Sequence, residues 1–258
     1  MPGRGAMTGK AAKRRTRTVI VAADVSSYSL QVVNLAVEIA ALADSKLQGL
    51  FVEDEDLLVL SGSPLTREIS STTASARPSS TVRLQRSFKS VARQFEDSLR
   101  REAQASKITW SYEYVRGRIR DFGLKPKLDA DFTIIASSGL RRVESGPRER
   151  RRRVLVIANQ SLQQMQALSV VLRRFIHDKV ELTLVDEPGG GEFEQRLKKL
   201  PAELLADVEV IEIARNEILD RLQRSGTAFD CAILSMHEPA DQLAIVLKAL
   251  RCPVILVA

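Results

Sequence analysis

The side chains equipped for chemistry in this chain are few and widely spaced. His237 stands beside Glu238 just after the apolar run FDCAILSM, and an imidazole next to a carboxylate is the raw material of general acid–base catalysis. An ordinary loop histidine has the same surroundings, and no nucleophile–base pair, metal spacing or second carboxylate accompanies it. His177 closes a helical pattern beside Asp178, where positive charge suits a helix C-terminus. Cys231 and Cys252 each sit inside an apolar, strand-like segment, which predicts buried thiols in a reducing compartment rather than a disulfide or a metal site. Arg141, Arg142 and the Arg150–Arg153 run offer charge to an anion. Asp24 and Ser26 follow an apolar run, at the kind of strand end where α/β proteins hold ligands.

The elements that would position these groups are read from periodicity. Thr18–Ala23 is rich in β-branched residues and predicts a strand. Ser26, Ser27 and Ser29 supply turn and N-cap chemistry before a helical pattern that continues to Ala43. In that helix Gln31, Asn34 and Glu38 form one narrow polar stripe and nearly everything else is apolar, so it must lie largely buried. Lys46–Val52 is a second apolar strand, and the βαβ unit implies a parallel sheet.

Further along, Ser63–Thr81 is rich in Ser, Thr and Pro without clear period, which predicts a long, mobile connection. Val82–Ala105 places Leu84, Phe88, Val91, Phe95 and Leu99 on one helical face. Ile108–Val115 alternates like a strand at a sheet edge, and DFTIIAS (131–137) reads as the next strand. Gly123 and Pro126 leave room for no more than an irregular crossover between them.

At Val154 the pattern begins again. VLVIANQSLQQMQALSVVLRRF repeats VIVAADVSSYSLQVVNLAVEIA, with Asn159 in the place of Asp24 and Ser161 in that of Ser26. An internal repeat of this kind predicts two similar units. KVELTLVDE, VEVIEI, FDCAILS and CPVILVA read as strands, with NEILDRLQRS and ADQLAIVLKAL as helices between the last three. The expected organisation is a basic tail over 1–17, a first domain over 18–150 and a second over 151–258. The fold class is α/β, with two doubly wound parallel sheets in tandem.

A chain of 258 residues with 44% hydrophobic content is long enough for two such cores. The net charge of +7 is concentrated locally: the first 17 residues carry six Lys/Arg and no acid, so the tail is expected to be disordered. It has no aromatic residue, which disfavours single-strand nucleic-acid binding. No apolar run approaches the roughly twenty residues of a membrane helix, and no secretory signal pattern opens the chain. A cytoplasmic protein without a membrane partner is expected.

The residues VAADVSSYSLQVVNLAVEIA resemble the opening of a universal stress protein domain, where a strand ends in an Asp-Gly-Ser-like turn. Asp24 and Ser26 match, and Val25 replaces the glycine. GLFVED resembles that family's second strand, and CPVILVA its last. The resemblance implies a universal stress protein-like (adenine nucleotide alpha hydrolase-like) fold with ligand positions at Asp24, Ser26, Val52, Ala136, Ser137 and Gly139, and in the second unit at Asn159, Ser235 and His237. ATP-binding members carry Gly-x-x-Gly and, nine residues on, Gly-Ser or Gly-Thr. Here Ala136 stands for the first glycine and Gly139 matches the second, while Glu149 and Arg150 replace the last pair. Ser235, Met236, His237 and Glu238 occupy the loop of the second unit.

The expected function is therefore a non-enzymatic, regulatory or stress-response binding protein with no cofactor. ATP binding is the alternative, and nucleic-acid association through the tail ranks below it. The partner is an unidentified protein or small ligand. The family's habit of dimerising through fifth strands implies an intramolecular pseudo-dimer, with a homodimer of chains as a further option.

Overall fold

A computed structural model describes residues 17–69, 74–119, 121, 130–136, 151–158, 161–186, 192–218, 222 and 229–258. Their strands are β1 (Thr18–Ala23), β2 (Lys46–Asp54), β3 (Arg67–Ile69), β4 (Ala76–Pro78), β5 (Trp110–Gly117) and β6 (Phe132–Ile135). After these come β7 (Arg151–Ile157), β8 (Lys179–Asp186), β9 (Val208–Ala214), β10 (Cys231–Ser235) and β11 (Val254–Val257). The helices are α1 (Leu30–Leu42), α2 (Glu55–Ser61), α3 (Thr81–Ala105), α4 (Leu162–Arg174), α5 (Glu192–Leu197), α6 (Ala202–Leu205) and α7 (Ala240–Ala249).

Nine strands form one sheet in the order β5-β2-β1-β6-β11-β10-β7-β8-β9. Seven of its eight neighbour pairs are parallel, and β6·β11 is antiparallel. The protein is thus α/β with a mostly parallel sheet. Each parallel arm reverses strand order once, at β1/β6 and at β7/β10, which is the doubly wound signature. The expectation of a separate sheet in each unit is refined: both arms share one sheet. Ile134 pairs with Ile255 and Phe132 with Val257 across the junction, so β11 fills the place beside β6.

Alternation along the strands builds a core on each face. Val19, Val21, Leu47, Phe51, Phe132 and Ile134 point towards α1, α3 and α4, while Ile20, Ala22, Leu50 and Val52 point to the other face. The polar stripe of α1 behaves as its spacing predicts, for Gln31 and Glu38 are exposed and their apolar neighbours buried. Glu38 pairs with Arg174 of α4 at 3.0 Å, linking the helices of the two arms. α3 lies close on β2 because Gly49 has no side chain: a Cβ there would fall 2.4 Å from Leu99 Cδ2 and 3.3 Å from Phe95 Cε1. β5 occupies the expected edge, where Tyr114 stacks on Phe51 at 5.7 Å and Tyr112 meets Phe95 at 6.1 Å.

Two regions depart from the sequence reading. The connection after β2 contains α2, whose N-cap Asp54 accepts from the amides of Asp56 and Leu57, and Ser63–Thr81 holds the β3·β4 hairpin. Three-residue strands are too short to show a period, which is why the hairpin left no signal. The strand opening the second arm also starts earlier than Val154, at Arg151. The expected tail lies outside the described residues, apart from Arg17, whose carbonyl accepts from Lys46 N at 3.0 Å.

Candidate functional site

In an open α/β sheet the ligand end is the carboxyl end of the strands, at the switch in strand order. Because β6 and β11 run antiparallel, the carboxyl ends of the two arms face opposite edges of the sheet. Asp24, Ser26, Val52 and Ala136 gather at one edge, and Ser235 and His237 stand at the other. They form two separate groups. Ser137, Gly139 and Asn159 lie outside the described residues, as do Arg141, Arg142, Glu149 and Arg150.

At the first edge β1 ends in a closed turn. Asp24, 6% exposed, accepts at Oδ1 from Ser26 N (2.8 Å), Ser26 Oγ (2.7 Å) and Ser27 N (2.8 Å), and its own amide donates to Ser27 Oγ at 2.9 Å. Three donors saturate one carboxylate oxygen. The Asp-x-Ser spacing accordingly shapes the entry to α1, whose N-cap is Ser29. Val52 is fully buried, and the Ala136 amide donates to Ala22 O at 2.9 Å, extending the ladder.

At the second edge the turn after β10 consumes its own amides. Met236 N donates to Val257 O at 2.7 Å, His237 N to Ser235 Oγ at 3.0 Å and Glu238 N to Ser235 O at 3.4 Å. A phosphate cradle requires successive free amides converging on one point, and these three are already engaged. Nor does Glu238 support His237, because its carboxylate, 10% exposed, pairs with Arg215. His237 is exposed. Arg215, Glu238 and Gln242 border a cleft otherwise lined by Ile157, Ile218, Leu234, Leu243 and Val246, with about 40 Å³ open to the centres of water-sized molecules. Small-molecule sites usually measure roughly 300–1,000 Å³. The sequence does not single out Arg215. Its signal, a basic residue directly after a strand, is too common to stand out.

The arginine run is a correction. Read as charge available to an anion, Arg151, Arg152 and Arg153 instead lie in β7, at its amino end, and each is bound to acids of the same arm. Arg151 pairs with Glu209 and with Glu181 (3.4 Å), Arg153 with Glu181 (3.5 Å), and Arg152 with Asp178 (2.6 Å) and Asp230 (3.1 Å). Arg152 also lies over the Phe175 ring, 5.0 Å from its centroid. Burial works against its charge, but the hydrogen bonds to Asp178 and Asp230 outweigh it and hold the guanidinium above its ordinary pKa.

Cys231 and Cys252 are free and buried. Burial pushes the Cys231 thiol up to about 12 and the Cys252 thiol well above its usual range, which is the state of an inert thiol rather than a nucleophile. Among the described residues no cluster of three or more His, Cys, Asp or Glu is arranged to hold a metal, and no helix is long and apolar enough to cross a membrane.

Compared with known proteins, the chain matches no family model and no curated protein. Among solved structures it is similar to a universal stress protein from Archaeoglobus fulgidus, at 11% identity over 93% of this chain and 95% of that one, with a TM-score of 0.44. It is also similar to a universal stress protein family member from Burkholderia pseudomallei, at 14% identity over 76% of this chain and 94% of that one, with a TM-score of 0.26. Scores this low carry no weight for fold or function, and the strand order and register stand without them.

Proposed function

We infer that this chain is a tandem binding protein of the universal stress protein type, acting in the cytoplasm in regulation or stress response without catalysis and without ATP. The observation that carries this reading is the state of the backbone at the strand ends. The amides of Ala136, Met236, His237 and Glu238 all donate within the chain, where a nucleotide-binding loop would leave amides for phosphate. The sequence speaks the same way, with Ala136 and Ser235 at glycine positions.

The tandem reading is supported by the internal repeat and by two doubly wound arms meeting at β6·β11. In a pair of separate domains each would supply its own fifth strand. Here β11 pairs with β10 of the second arm and β6 of the first, which supports an intramolecular pseudo-dimer. Glu238 is paired with Arg215, so its carboxylate does not serve His237 as an acid–base partner.

Mass spectrometry of whatever is released when the purified protein is gently denatured tests this reading. We expect no adenine nucleotide. Stoichiometric ATP or ADP in the released fraction would overturn it.

A further inference from the structure

The lobe built from α2, the β3·β4 hairpin and the start of α3 lies outside the described strand-end sites, and it combines two features that rarely occur together on a passive surface. The first is exposed aliphatic side chains: Leu65 is 91% exposed, Val59 77%, Ile69 73%, Val82 58% and Leu60 55%. The second is charge. Beyond the acidic first turn of α2 (Glu55 and Asp56), the stretch from Val59 to Phe95 carries six Lys/Arg and one acid, Glu68.

The lobe is one structural unit. Ser61 Oγ, at the end of α2, donates to Thr81 Oγ1 at the start of α3 (3.1 Å), Ser79 N donates to Thr66 O (3.0 Å), and Ser80 N donates to Glu68 Oε1 (3.3 Å). Glu68 also holds Arg77 and Arg83, so this acid serves to fasten the hairpin to the helix. Val82, Arg86, Lys89 and Arg93 follow at spacings of four, three and four, which puts them on one stripe of α3. That stripe lies well away from the buried Phe88, Ala92, Phe95 and Leu99. Arg86, Lys89 and Arg93 are exposed and form no ion pair with any described residue. The result is a basic stripe with an aliphatic end.

We propose that this lobe docks on an anionic lipid surface, with Leu65 and Ile69 entering the interface and Arg86, Lys89 and Arg93 lying over the headgroups. Charge complementarity selects an anionic partner, and the apolar groups select a bilayer over a soluble acidic one. Leu65 sits in a turn closed by Thr66 N donating to Ser63 O, and a side chain that exposed protrudes rather than lining a groove. Protein-binding hot spots sit in well-packed pockets and under-represent Leu and Val, whereas Leu65, Ile69 and Val59 project into solvent. Surface docking by exposed apolar groups beside Lys and Arg needs no spanning helix.

The test is co-sedimentation of the full chain with vesicles of phosphatidylcholine alone, or of an equal mixture with phosphatidylserine, at low and high salt. We expect partition onto the mixed vesicles alone, weakening with salt. Arg86→Ser, Lys89→Ser and Arg93→Ser should each reduce partition about fivefold, and all three together roughly a hundredfold. Leu65→Ser with Ile69→Ser should abolish the fraction that survives high salt. These side chains are exposed, so near-UV dichroism should be unchanged in every variant. No partition onto mixed vesicles would overturn the proposal, as would partition unaffected by both sets of variants. Loss with the charge variants but not with Leu65→Ser and Ile69→Ser would point to a soluble acidic partner and overturn the bilayer reading.

Discussion

Ile134 and Ile255 face one another across the antiparallel ladder that joins the two arms, and both side chains are fully buried. This pairing predicts that the arms unfold as one body, because β11 is core to the second arm and neighbour to the first. Ile255→Ala should therefore cost about 2–5 kcal/mol while preserving a single unfolding transition. Denaturant melts followed by Trp110 fluorescence, which reports on the first arm, and by far-UV dichroism should coincide. Separate midpoints for the two probes would show that the arms unfold independently.

Gly49 and Leu99 make a second, local test. Gly49→Ala introduces a methyl where Leu99 Cδ2 already stands, and Leu99 is fully buried with little room to turn. Overpacking of this kind costs about 1–3 kcal/mol. Pairing the change with Leu99→Ala should recover part of the loss, since the smaller partner makes space. Additive losses in the double variant would mean that the two sites do not touch.

Arg152 holds Asp178 and Asp230 together from a side chain only 14% exposed. Removing it as Arg152→Met leaves two carboxylates without their shared cation, at a cost of about 2 kcal/mol. Arg152→Lys should restore little, because an ammonium cannot span both acids as the guanidinium fork does. Chemical denaturation of the three proteins checks this, and a lysine variant as stable as the parent would refute the bridging role.

The buried thiols give a pH signature. The folded-state pKa of Cys231 is raised to about 12 by burial, and that of Cys252 is also raised. The unfolded chain therefore releases these protons first, and stability falls as pH rises above the ordinary thiol range, by about 1.4 kcal/mol per pH unit for each thiol. Below that range they contribute no pH dependence. Comparing the alkaline stability slope with that of the Cys231→Ala, Cys252→Ala double variant isolates the effect. Equal slopes would show that the thiols do not ionise differently in the two states.

How much of this was legible in advance follows from the range of each signal. β1, α1 and β2 are readable because apolar runs, a polar stripe and serine caps are all local, and β11 because VILV is an apolar, β-branched run opening directly after Pro253. α2 carried its own cap signal in Asp54, Glu55 and Asp56, which the Ser/Thr-rich stretch after it obscured. The apolar signal of β7 starts at Val154, because Arg151–Arg153 have the composition of a solvated charge run. The acids that fix them in the sheet, Glu181, Glu209 and Asp230, lie on other elements and are far away in sequence. The closed state of the strand ends was least accessible, since whether a backbone amide is free depends on neighbours such as Val257 that only the fold supplies.

The most direct test of the central claim is a calorimetric titration of the full-length protein with ATP and magnesium. With the amides of Ala136, Met236, His237 and Glu238 engaged inside the chain, we predict no saturable heat up to millimolar nucleotide. A saturable isotherm with micromolar affinity and one or two sites per chain would contradict the account.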